Sequence, residues 1–174
     1  MKFIKIILIC TLLNACAVGT YLTTNPYLQR STKLDTSYVR SQLQLVAELS
    51  GRMLTGTERL PDVYLVNDSV DFYAVTCKQH HIQCGLGSTL ATHLPYDHII
   101  YVNVQRIEDI HTQDAIVLHE LVHHLQTLQH DKRSCIEREQ EAYSVEYKFL
   151  NINPPISIYR SAVSSCDDAD NTFS

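Results

Sequence analysis

The chain has 174 residues, of which 45% are hydrophobic and 19% charged. These proportions belong to ordinary globular proteins and exclude collagen-like and low-complexity architectures. A net charge of −5 argues against a nucleic-acid partner, which needs clustered basic residues.

The chain opens as a targeting segment. Lys2 and Lys5 flank the start of an apolar run from Ile6 to Leu13, the charge-then-apolar order of a signal peptide. The run is far shorter than the roughly 20 residues a spanning helix needs. Leu13-Asn14-Ala15-Cys16 resembles a bacterial lipobox, in which the Cys is lipidated. Ala15-Cys16-Ala17 offers the alternative, an A-x-A site for ordinary secretion. The expected organisation is a signal peptide over 1–16, a polar linker over 17–33, one domain over 34–166 and an acidic frayed tail over 167–174. The mature chain is expected outside the cytoplasm, as a periplasmic or outer-membrane lipoprotein or as a secreted protein. It would touch a membrane only through a lipid on Cys16. Loss of Lys2 and Lys5 takes the 14 basic residues to 12 against 19 acidic ones, a net of −7.

Past Cys16 the chain holds Cys77, Cys84, Cys135 and Cys166. An even number in an oxidising compartment predicts two disulfides. The expected pairs are Cys77–Cys84, close in sequence, and Cys135–Cys166. A Cys/His metal cluster over Cys77, His80, His81 and Cys84 is the alternative for the first pair.

In chain order, residues 34–53 predict a helix, because Val39, Leu43, Val46, Leu49 and Met53 recur at helical spacing. Asp35 or Ser37 can cap its start, and Gly51 or Gly56 can end it. Asp62 to Asn67, after Pro61, reads as a short strand. Residues 68–97 read as loop. His98 to Val104 is rich in β-branched and aromatic residues and reads as the best strand. A long helix follows over about 109–130 and a second over about 135–150, which Asn153-Pro154-Pro155 stops. These elements predict an α+β fold, a short sheet packed against two or three helices.

The long helix contains His119-Glu120-Leu121-Val122-His123. Residues four apart share one helical face, about 6 Å apart along the axis. Two imidazoles so placed can reach one tetrahedral Zn²⁺, with Glu120 beside them. Ala115, Leu118, Leu121, Val122, Leu125 and Leu128 form the apolar face, and the two histidines lie along its edge. A surface histidine cluster with His124 and His130 is the competing reading. Zinc needs a third protein ligand and leaves its fourth position to water. Glu137, Glu139 and Glu141 lie downstream. Ser134 and Glu137 have the spacing of a capping box. At 100° per residue Glu141 falls on the polar side, while Glu139 falls in the middle of the apolar face. A carboxylate there is costly unless it is paired or on a metal, which makes Glu139 the expected third ligand, with a buried carboxylate satisfied by hydrogen bonds as the alternative. Glu146 lies near the same face, where it either orients a ligand histidine or sits half exposed.

These residues resemble the zincin metallopeptidases, and within them the gluzincins, in which a Glu on a following helix completes the zinc site. Glu139-Gln140-Glu141-Ala142 resembles their E-x-x-A pattern. The resemblance covers about residues 98–150, and the whole chain resembles small exported bacterial proteins that carry H-E-x-x-H. The metzincin pattern fits less well: it needs Gly where Gln126 stands and His where Gln129 stands. The gluzincin resemblance implies one zinc per chain on His119, His123 and Glu139, and Glu120 as general base. It implies a peptide or protein substrate and a peptide-binding edge strand at 99–104. Tyr143, Tyr147, His93 and His98 are candidates for stabilising the oxyanion. The alternative function is a non-catalytic zinc-binding envelope lipoprotein or an interaction module.

Overall fold

The computed structural model describes residues 26–78, 89–153 and Cys166. The expected signal peptide, Cys16, the Cys77–Cys84 pair and the acidic tail lie outside the described residues. Within them the chain is mixed α and β. Its elements are β1 (Ser31–Lys33), α1 (Thr36–Ser50), β2 (Asp62–Val66), α2 (Ser69–Tyr73), β3 (Ala91–Leu94), β4 (Ile99–Asn103), α3 (Ile110–Leu128) and α4 (Cys135–Phe149).

Local chemistry sets the helix ends. The Asp35 carboxylate accepts the Ser37 N–H at the start of α1, satisfying an otherwise orphaned donor. Gly51, at φ 74°, ends that helix, a left-handed conformation that glycine adopts without a Cβ clash. Asp109 caps α3 through the Thr112 N–H. Ser134 and Glu137 form the expected reciprocal capping box on α4. α3 stops two residues before the expected boundary, because the chain turns left-handed at His130 (φ 51°).

The sheet order is β1-β2-β4-β3. β2 and β4 pair in parallel, Val63 opposite Ile100 and Leu65 opposite Val102. β1 and β3 flank them, each antiparallel to its neighbour. The strand at 99–103 is therefore interior and not the expected edge. The edge beside it is β3, within the stretch expected to be loop, which also forms α2. β1 falls where the sequence suggested linker.

Strand alternation divides the apolar side chains between two cores. Val63, Ile100 and Val102 face α1, α3 and α4, and pack with Val39, Leu43, Val46, Leu118, Leu121, Leu125, Ala142 and Val145. Tyr101, Val66 and Leu94 face the other way, onto Phe72 and Val75. Burying each large aliphatic side chain contributes about 1.5–3 kcal/mol relative to exposure, so the three-helix face dominates. Cys135 and Cys166 are joined by a disulfide with a Cα–Cα distance of 5.9 Å, which ties Cys166 to the start of α4. Among the described residues no helix is long and apolar enough to cross a membrane.

Candidate metal centre

The packing of α4 against α3 builds the site. α3 carries His119 and His123 one turn apart, and α4 brings Glu139 against both. The His119 and His123 Nε2 atoms are 3.2 Å apart. One Glu139 oxygen lies 3.1 Å from His123 Nε2, and the other lies 3.5 Å from His119 Nε2. Metal–ligand bonds of about 2.0–2.1 Å in a tetrahedron give ligand–ligand edges of about 3.3–3.4 Å. The Nε2–Nε2 separation is close to that edge, the two Glu139 contacts end on different oxygens, and these three residues form a group able to hold a metal ion.

The outer ring nitrogens decide which atoms face inward. His119 Nδ1 lies 3.0 Å from a Glu146 oxygen, so the ring donates its Nδ1–H to the carboxylate. His123 Nδ1 lies 2.9 Å from Gln126 Oε1. The amide orientation follows from its other end, where Gln126 Nε2 donates to the Arg138 carbonyl at 3.0 Å and to Glu141 at 2.9 Å. Turned around, the amide oxygen would face two acceptors. Both histidines therefore spend Nδ1–H on an acceptor and leave Nε2 for the centre. Two bare Nε2 lone pairs at 3.2 Å repel one another unless a cation or proton lies between them. The donor set fits a divalent metal such as zinc.

The electrostatics agree with a site built for positive charge. Burial is the largest influence on His119 and disfavours its charged form. Hydrogen bonds to Glu139 and Glu146, with the charge of Glu120, outweigh it and push the pKa up to about 10. Burial likewise opposes charge on Glu139, but the two histidines hold its carboxyl well below the usual range. Glu120 is almost fully buried at 9% exposure. Burial pushes its carboxyl up against the opposing pull of His119 and His123. The Tyr143 ring packs edge-on against His119, with centroids 4.6 Å apart.

No protein-family model, curated protein or solved structure matches the chain.

A second histidine group borders the first. His124, taken in one reading of the sequence as part of a surface cluster, is fully buried. Its Nε2–H donates to the Arg59 carbonyl at 2.7 Å. The neutral ring then has a bare Nδ1, to which His93 Nε2–H donates at 3.4 Å. Burial, then the charges of His124, His123 and His98, push His93 down to about 3, so it is neutral near pH 7. Its Nε2–H is committed to His124. His98 also borders His124, with ring centroids 5.7 Å apart.

Glu141, expected on the polar side of its helix, sits in a network of charged groups. Its carboxylate takes a two-point contact from Arg52 at 2.7 and 2.6 Å, and also bonds Arg133. Burial raises its pKa, but the bonds from Arg52, Gln126 and Arg133 outweigh that and bring it down to about 2 from 4.5. A depressed folded-state pKa gives stability that is complete above the unfolded value and is lost as pH falls through the folded one. Between about pH 4.5 and 2, the wild-type chain is expected to lose stability that Glu141→Gln does not lose. Chemical denaturation midpoints across that window check this; parallel curves for the two proteins would contradict it.

Proposed function

We propose that this chain is a zinc-dependent hydrolase of peptide bonds, exported and working on the gluzincin plan. The observation that carries the proposal is the convergence of two Nε2 atoms and one carboxylate, with both Nδ1–H groups already committed. Bound zinc would supply Lewis acidity, acidifying a water and polarising a carbonyl. His119, His123 and Glu139 would hold it.

The chain's own residues supply the rest. Glu120 is buried next to the two histidines, and burial pushes its carboxyl above the usual range. A carboxylate placed there can accept a proton from water and release it again. Its carboxylate oxygen takes a proton from the water that attacks the scissile carbonyl. It passes that proton to the leaving nitrogen, so the C–N bond breaks as the amine forms.

β3 supplies a place for the substrate. The Asn103 N–H donates to the Leu90 carbonyl, and β3 pairs antiparallel with β4. Bonded pairs alternate in such a ladder. The backbone groups of Thr92 and Leu94 thus face β4, and those of Ala91 and His93 face outward. Among the described residues no strand covers that edge. An extended peptide adding there would run beside α3, where His93 touches His124.

The test is metal analysis of protein purified from an oxidising compartment, followed by a peptide-library cleavage screen with and without chelator. About one zinc per chain and chelator-sensitive cleavage are expected. Tight zinc without cleavage would favour the non-catalytic zinc-binding reading, and absence of metal would sink both.

A further inference from the structure

The Gln126 amide is nearly symmetric in shape but opposite in polarity at its two ends. Its Oε1 faces His123 Nδ1. If the amide turned by half a rotation, its NH₂ would face that nitrogen, which would have to be bare. The proton of the neutral ring would then sit on Nε2, and no lone pair would face the centre. What holds the amide in the useful orientation is the pair of acceptors at its far end, the Arg138 carbonyl and Glu141. Glu141 is in turn held by Arg133 at one oxygen and by Arg52, whose planar fork alone meets both carboxylate oxygens. Arg52 lies just after Gly51, at the end of α1, and its remaining bonds go to Gln129 and Asp131. Gln126 is 1% exposed, so water does not substitute freely for these partners.

We infer that Arg52 is a positioning residue for the metal centre: through Glu141 it fixes which end of the Gln126 amide faces His123, and so which nitrogen of His123 is bare. The inference rests on the metal-site reading above. It makes metal affinity depend on a residue that bonds none of the three ligands. It also explains why α3 carries a fully buried polar residue one turn beyond His123. A buried amide is tolerated only when its donors and acceptors are met, and here one of the bonds it makes goes to a ligand.

The experiment compares wild type, Gln126→Met, Arg52→Met and the double variant on the full chain. Zinc affinity is read by chelator competition, and the His123 Nδ1–H proton by NMR. Gln126→Met keeps the volume and removes the acceptor, so zinc should bind about 10- to 100-fold more weakly, the usual effect of removing a ligand's outer hydrogen-bond partner. Arg52→Met should weaken zinc in the same direction. The double variant should bind no more weakly than Gln126→Met, because both changes act through one chain of contacts. Unchanged affinity in Arg52→Met, or losses that simply add, would overturn the proposal. If Arg52→Met does not fold, Arg52→Lys carries the test, since it keeps the charge and loses the fork; wild-type affinity in that variant would overturn the proposal too. The Nδ1 proton judges the link even in metal-free protein. It should be protected from exchange in wild type, less so in the Arg52 variants, and unprotected in Gln126→Met. If wild type binds no zinc, the metal reading fails while this readout still tests the Arg52–Gln126–His123 link. Equal exchange in wild type and Gln126→Met would break that link.

Discussion

Replacing His123 with Ala, or Glu139 with Gln, is expected to release zinc from the chain. Each change removes one member of a group of three side chains in mutual contact at 3.1–3.5 Å, and leaves only two protein ligands. The loss should exceed the roughly 10- to 100-fold that removing an outer hydrogen-bond partner costs. The Glu139 change is the sharper of the two, because Gln preserves size and removes charge. Without metal, Glu139 and Glu146 hold a proton on His119. Zinc must displace that proton, so its uptake should release protons and its affinity should fall as pH falls. Metal content by mass spectrometry checks the two variants, with His130→Asn as a control. His130 is exposed, beyond the end of α3, and its change should leave the metal in place. Zinc that survives the loss of His123 would place the metal elsewhere and remove the basis for the hydrolase proposal.

How much of this was legible depended on the range over which each signal acts. His119 and His123 were legible because four-residue spacing in a helix is a local rule. Glu139 was legible through cost: a carboxylate in the middle of an apolar face needs a partner, and the structure brings it against both histidines. The Glu146 alternative in which it orients a histidine matches its 3.0 Å contact with His119 Nδ1. Glu141 falls among polar groups, but the partner it meets there was not legible, because Arg52 lies 89 residues away. A helical wheel sees neither that distance nor the end of α1 folding back onto α4. Gln126 was noted only as a mismatch to the metzincin pattern. Its signal was present, a polar residue one turn after a ligand histidine on the side facing α4, but amide polarity becomes informative only once Arg138 and Glu141 are placed. The two edge strands were missed for a related reason. Ser31–Lys33 and Ala91–Leu94 are three and four residues long, too short for alternation to register, and short edges are how proteins discourage unwanted pairing. β4 drew attention by its apolar, β-branched composition, which marks a strand covered on both faces and not an edge.

Glu120→Gln is expected to keep the zinc and to lower peptide hydrolysis by roughly 10²- to 10⁴-fold, the usual contribution of a positioned general base. The substitution is nearly isosteric and lies within α3, between the two histidines and off the ligand triangle, so metal content should match wild type. It removes the carboxylate proposed to transfer the proton. A neutral amide cannot take a proton from the attacking water, nor return one to the leaving nitrogen. Burial should also make the variant fold at least as well, because an uncharged side chain loses less on leaving water. A gain or no change in denaturation midpoint together with lost turnover would separate chemistry from damage. The decisive comparison is the loaded variant against loaded wild type on the same peptide pool. Hydrolysis that persists at the wild-type rate with zinc bound would mean that Glu120 is not the base. The buried carboxylate would then need a structural explanation, and the metal centre a different reaction.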